Sequence, residues 1–125
     1  MRPRRATLAD AATLARLNAH VQGWHAAQYP ESFFPDPDPG RLTAWFRDRL
    51  AEPGCTAFLI GKPATAYALC ALQTREASVF SPPVRRLMIE HVAVAPEARR
   101  QGQGRALIAA ARDLARELEV DEILL

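Results

Sequence analysis

Apolar positions along the chain fall into runs whose period changes several times. From Ala9 to about Ala27, Leu14, Leu17, Val21 and Trp24 recur at three- and four-residue intervals, the spacing of one helix face. Thr7 or Asp10 can cap that helix, and the stretch 2–7 before it reads as a short first strand. Pro30 breaks the helix, and "PESFFPDPDPG" (30–40) is a loop stiffened by its prolines. Leu42, Trp45, Phe46 and Leu50 then restore helical spacing until Pro53-Gly54 ends it.

The next runs are apolar and strand-like. "CTAFLIG" (55–61) and "ATAYALCALQT" (64–74) are separated only by Lys62-Pro63, which predicts an antiparallel hairpin. "SVFSPPV" (78–84) is a loop or sheet edge, because Pro82-Pro83 cannot sit in a central strand. "RLMIEHVAVA" (86–95) reads as a strand buried on both faces, closed by Pro96. In "RALIAAARDLARELE" (105–119), Leu107, Ile108, Ala111, Leu114, Ala115 and Leu118 make one apolar stripe with the arginines elsewhere, and "DEILL" (121–125) begins another strand. The predicted order is β-α-α-β-β-β-α-β. The closing strand, helix and strand imply a parallel pair, so the fold class is mixed α/β.

Composition narrows the reading. At 125 residues the chain is expected to be one domain spanning 1–125, with 49% apolar and 24% charged residues. No run reaches the eighteen or so apolar residues of a membrane helix, and the N-terminus has no unbroken apolar stretch, so a cytoplasmic protein with no membrane partner is expected. Cys55 and Cys70 lie in apolar stretches without neighbours at metal-ligand spacing. Buried free thiols and no metal site follow. Sixteen basic residues are nearly balanced, giving a net charge of +2, and aromatic residues do not interleave with the arginines. That disfavours a nucleic-acid partner.

The chemistry concentrates at "PEARRQGQGRALI" (96–108). A helix start carries unpartnered N–H groups and a partial positive charge, and glycines let a ligand approach the main chain closely. Gly102 and Gly104, among Arg99, Arg100 and Arg105, therefore describe an anion site suited to a pyrophosphate. The alternative is a tight turn with solvated arginines; the strand before and the helix after favour the anion site. A P-loop needs Lys-Ser/Thr where Arg105-Ala106 stands, and a dinucleotide fingerprint needs its glycines directly after the strand.

"EHVAVAPEARRQGQGRALI" (90–108) closely resembles the acetyl-CoA-binding motif of the GCN5-related N-acetyltransferases (GNAT family), a strand ending in V-x-P followed by R/Q-x-x-G-x-G/A opening a helix. Arg99, Gly102 and Gly104 fall on its defining positions, with Val94 and Pro96 at the matching strand end, and "VQGWHAAQYPESFFP" (21–35) is similar to a stretch found after the first helix of many members. The resemblance implies the acyl-CoA N-acyltransferase fold and transfer of acetyl from acetyl-CoA to a primary amine of a small molecule or protein. It implies that main-chain groups of Val92, Ala93 and Val94 pair with the pantetheine arm of coenzyme A. Amides of Arg100, Gln101, Gly102, Gln103, Gly104 and Arg105 would wrap the pyrophosphate, and "DEILL" would be a strand splayed away beside the motif.

Transfer needs a base for the amine. Glu90, two residues before Val92 and so expected on the same face, is the candidate; its other reading is a structural, hydrogen-bonded strand residue. His91 is expected to face the other way, packed in the core, and Tyr67 and Cys70 read as core. By analogy His25, Tyr29, Phe33 and Phe34 lie on the acceptor side, where the aromatics either cover the acceptor or pack the two helices together. Many relatives continue past this last strand with elements that supply a tyrosine acid, which no residue here matches. The alternative to a transferase is therefore a CoA-binding or structural remnant without transferase activity. An unpaired last strand would also favour a homodimer.

Overall fold

The computed structural model describes residues 2–34, 37–120 and 122–125, so Pro35 and Asp36 of the expected loop and Asp121 of the last strand lie outside the described residues. The elements run β1 (Arg4–Arg5), α1 (Ala11–Gln28, after a 3-10 turn at Leu8–Asp10), α2 (Pro39–Ala51), β2 (Cys55–Gly61), β3 (Ala64–Arg75), β4 (Val84–Val94), α3 (Gln103–Glu117) and β5 (Glu122–Leu124). This is the expected order, in a five-stranded mixed sheet with spatial order β1-β2-β3-β4-β5. All neighbours are antiparallel except β4 and β5, the parallel pair closed by the α3 crossover. Among the described residues no helix is long and apolar enough to cross a membrane.

Strand alternation sends side chains to two cores. Ala57 and Leu59 of β2 and Tyr67 and Leu69 of β3 meet Leu14 and Leu17 of α1 and Phe46 of α2. Phe58 and Ile60, with Ala66, Ala68 and Cys70, face Leu107, Ala111, Leu114 and Ala115 of α3. Local signals explain the helix ends: Asp38 accepts from the Arg41 amide at 2.8 Å with Pro39 in the first turn, so α2 starts just before the expected Gly40. Two stripe positions turn outward. Trp24 is 58% exposed, because the inward stripe of α1 continues from Val21 to His25, four residues on, rather than to Trp24. Trp45 is 41% exposed and forms a cavity wall, leaving Phe46 to fill the core.

The largest departure from simple alternation is in β4. Leu69 faces His91 and the next residue of β3, Cys70, faces Ile89, which leaves Glu90 without a partner across the ladder. Glu90 is thus the extra residue of a β-bulge. Before it, Leu87 and Ile89 point to the α3 core; after it, Val92 and Val94 do so, whereas Ala93 joins the α1–α2 core. Glu90 and His91 both point to the α1–α2 side, where Glu90 meets Arg49 and His91 meets Trp45 and Phe46. The expectation that Glu90 shares a face with Val92 and opposes His91 is therefore incorrect: counting by twos fails across a bulge.

Removing the extra residue leaves every other β4 side chain on its present face, since Leu69 would still oppose His91 and Cys70 would still oppose Ile89. The core does not need the bulge. Deletion of Glu90 should give a cooperatively folded chain whose thermal midpoint, followed by circular dichroism, moves by less than about 10 °C. Loss of the cooperative transition would contradict this account.

Candidate active site

Among the described residues, β5 pairs with β4 at Arg86–Met88. Beyond Met88 that side of β4 has no strand partner among the described residues. Ala95 donates its amide to the Thr65 carbonyl of β3 at 2.7 Å. Main-chain direction alternates along an antiparallel strand, so Ala93 also turns toward β3, and Val92 and Val94 turn their N–H and C=O groups to the free edge. A row of unsatisfied donors and acceptors is a template for an extended ligand.

That edge leads into the glycine junction. After the 3-10 turn Pro96–Ala98, Arg99 is extended, and Arg100 (φ 67°) and Gly102 (φ 79°) are left-handed. Alternating handedness of this kind converges successive amides into an anion-binding concavity. Gly102 is the N-cap of α3, and its carbonyl accepts from Ala106 at 3.0 Å. The amides of Gln103, Gly104 and Arg105 precede the first donor of the helix ladder, the Ala106 amide, and lie at the positive end of α3. The side chain of Gln103 is 6% exposed and accepts from the Thr65 hydroxyl at 3.0 Å, which pins this turn to β3. Arg99, Arg100 and Arg105 are exposed around it.

The two glycines have different causes. Gly102 needs its left-handed backbone. Gly104 is helical, and a Cβ added there meets no atom within 4 Å. A glycine inside a helix costs about 1 kcal/mol relative to alanine, and nothing in the packing of the chain asks for one here. The space over Gly104 is open for a ligand pressed against the main chain, which fits the pyrophosphate of coenzyme A.

On the other side of the bulge lie two adjoining cavities. One of about 560 Å³ is lined by Phe34, Pro37, Leu42, Trp45 and Phe46, with Asn18, Asp38 and Arg41 among its polar walls. A second, of about 320 Å³, is lined by His25, Phe33, Tyr67, Glu90, Val92 and Ala93. His91 and Asn18 belong to both. Both oxygens of Glu90 are engaged by the Arg49 guanidinium, whose NH1 lies 3.3 Å from Oε2 and whose NH2 pairs with Oε1. Arg49 Nε lies 3.2 Å from Glu52 yet makes no hydrogen bond of good geometry, so that contact is a loose ion pair. His91 stacks on Trp45 with ring centroids 5.7 Å apart. Its Nδ1 lies 3.0 Å from the Tyr67 hydroxyl, which lies 2.9 Å from Asn18 Nδ2. Burial, opposed only in part by Asn18, pushes the Tyr67 phenol up to about 12, so it stays protonated. Burial also moves His91 below the ordinary histidine range, against the pull of Glu90 and with help from Arg49 and His25. His91 is therefore neutral at pH 7.

The expected acceptor residues divide. His25 and Phe33 line the smaller cavity with ring centroids 4.9 Å apart, and Phe34 lines the larger one. Tyr29 caps α1 and lines neither. With Tyr29 59% and Phe34 80% exposed, these rings do not pack the helices together. Tyr67 and Cys70 are buried as expected, and Cys55 is half-buried. His91 is not enclosed in the core, because the bulge turns it into the cleft. Sequence reading missed Asn18, Arg49 and Trp45 at this site. Asn18 and Arg49 are the polar residues that interrupt inward helix stripes, the one signal that could have marked them.

The sequence profile of the Acetyltransferase (GNAT) family matches residues 18–125. No curated protein matches the chain. Among solved structures, a tetramutant of BH1408 from Bacillus halodurans superposes with a TM-score of 0.86 at 23% identity, covering 100% of this chain and 81% of that one. Ribosomal-protein-alanine N-acetyltransferase from Brucella melitensis biovar Abortus 2308 gives 0.70 at 18%, covering 98% and 76%. Aminoglycoside N-acetyltransferase AAC(6')-Iy, in complex with CoA, gives 0.73 at 14%, covering 98% and 74%. At these identities the superpositions speak for the fold. The profile match spans most of the chain and includes the β4–α3 junction, and with it the chain belongs to the GNAT family of acetyl-CoA-dependent N-acetyltransferases.

Proposed function

We propose that the chain transfers acetyl from acetyl-CoA to a primary amine of a small molecule or protein, using the β4–α3 junction for the cofactor and the α1–α2 cavities for the acceptor. Acetyl-CoA supplies the activated thioester. The free edge at Val92 and Val94 holds its pantetheine arm in strand-like hydrogen bonds, with Ala93 keeping the strand anchored to β3. The amides of Arg100, Gln101, Gly102, Gln103, Gly104 and Arg105 hold the pyrophosphate, and Arg99, Arg100 and Arg105 add charge around it. The acceptor enters beside His25, Phe33 and Phe34, with Tyr29 at the rim. Glu90, tied to Arg49, fixes the bulge against α2, the structural one of its two sequence readings.

The observation that carries this reading is the empty space over Gly104, a helical glycine that the fold itself does not require. Titration calorimetry with acetyl-CoA tests it. Gly104→Ala should leave thermal stability equal or raised by up to about 1 kcal/mol while weakening acetyl-CoA binding, and Gly104→Asp, which adds a negative charge, should abolish it. By contrast, Gly102→Ala should cost about 1–2 kcal/mol of stability through its left-handed backbone. Unchanged binding by a folded Gly104→Asp variant would contradict the cofactor site.

A further inference from the structure

Both oxygens of Glu90 are held by Arg49, and a transferase acting on an alkylamine must still remove a proton, since such an amine is an ammonium at pH 7. His91 stands in the wall shared by both cavities. One ring nitrogen is anchored: Nδ1 faces the Tyr67 hydroxyl at 3.0 Å. The other, Nε2, has no hydrogen-bond partner among the described residues. Among the described residues Arg49 Nε is the one side-chain nitrogen or oxygen both buried and without a hydrogen bond, so Nε2, in a residue lining both cavities, is open to them. Trp45 stacked on one face, with Phe46 and Tyr67 edge-on, fixes the ring plane.

We infer that His91 is the general base of this site, taking the acceptor amine's proton at Nε2, with Tyr67 and Asn18 as positioning residues. The inference rests on the transferase reading above and names the residue that sequence had cast as core.

Two hydrogen patterns fit the same heavy-atom positions. With Asn18 donating through Nδ2, the phenol donates to Nδ1 and Nε2 carries the hydrogen. A half-turn of the Asn18 amide reverses the chain: Nδ1–H donates to the phenol oxygen, the phenol donates to Asn18 Oδ1, and Nε2 presents a lone pair to the cavity. This second pattern is the base form, and it also accommodates the imidazolium that forms. The ammonium's N–H bond breaks and the Nε2–H bond forms. The freed nitrogen lone pair attacks the thioester carbonyl carbon, the C–N bond forms, and the C–S bond breaks with its electron pair on sulfur. The remaining extra hydrogen of the new amide nitrogen leaves as the proton that the thiolate takes up.

The charged and titratable groups around His91 come from each packed element: His25 from α1, Arg49 from α2 with Asp38 and Arg41 across the larger cavity, Tyr67 from β3 and Glu90 beside it. Desolvation outweighs the Glu90 attraction, so the neutral base persists below the ordinary histidine range. Base-dependent rate is therefore present at pH 7 and falls as pH drops through that lowered value.

The test compares two probe classes with acetyl-CoA: a panel of primary alkylamines, and O-methylhydroxylamine, whose nitrogen is already unprotonated at pH 7. His91→Gln should lower kcat/KM for the alkylamines by on the order of 10²-fold and remove the acid limb of the pH profile, with O-methylhydroxylamine little changed. Tyr67→Phe should move the limb rather than remove it. In Glu90→Gln the limb should persist, displaced to lower pH by loss of the neighbouring negative charge. Equal losses for both probe classes in His91→Gln, or disappearance of the limb in Glu90→Gln instead, would overturn the inference. A second readout needs no acceptor: nitrogen-15 NMR should show His91 Nε2 unprotonated in the acetyl-CoA complex at pH 7. Nε2 protonated throughout the titration would overturn the assignment. Failure of the wild-type chain to bind acetyl-CoA by calorimetry would instead strike the transferase reading, and the inference with it.

Discussion

Glu90 has no partner across the β3–β4 ladder, and the strand absorbs it by turning two consecutive side chains to one face. Much of the cleft follows from that local distortion. Before it, β4 is held on both sides, by β3 and by β5. After it, one edge has no strand partner among the described residues and leads directly into the left-handed residues and the start of α3. A bulge bends its strand and sharpens the local twist, while β3 keeps its pairing with β4 on both sides of Glu90. Because the bulge takes up Glu90 as an extra residue, His91 keeps its place opposite Leu69 and faces α1 and α2, where unbroken alternation through Glu90 would have put it on the α3 face with Ile89.

Two kinds of physics then divide the work across the sheet. On the α3 side the sheet is lined by Ala66, Ala68 and Cys70, and the helix by Ala111 and Ala115, small residues that seat α3 against the strands and fix its N-terminus at the strand end. Gln103 bonded to Thr65 locks that placement. On the α1–α2 side the packing is deliberately incomplete. Phe46, Tyr67 and Leu14 fill the core, but Trp45 and Phe34 stay at cavity walls, and polar groups from four elements converge where they stop. The Arg49–Glu90 pair spans from α2 to the bulge and is partly shielded from solvent, so it holds geometry more than it adds free energy.

How much of this was legible in the sequence follows from the range of each signal. Periodicity found the three helices and β2 to β4, because helix stripes and strand runs are set by burial against the sheet. The α3 stripe of Leu107, Ala111, Leu114 and Ala115 is the clearest instance. The glycine junction was legible because left-handed residues and helix starts are written in local residue types. The bulge was not. Nothing in "MIEHVAV" distinguishes an extra residue from a regular alternation, since the choice depends on pairing with a strand fifteen or more residues away. Every error about Glu90, His91 and Val92 descends from that one ambiguity. The exposure of Trp24 and Trp45 was hidden for a related reason: a stripe three or four residues wide does not say which of two apolar positions ends at a cavity.

The central claim is that the unpaired edge of β4 receives the cofactor, and amide hydrogen exchange reads that edge directly. The Val92 and Val94 amides should exchange quickly in the free protein and become strongly protected when acetyl-CoA is added, and the Ala93 amide, already turned to β3, should be slow in both states. Protection confined to α3, with Val92 and Val94 unchanged at saturating acetyl-CoA, would contradict the account.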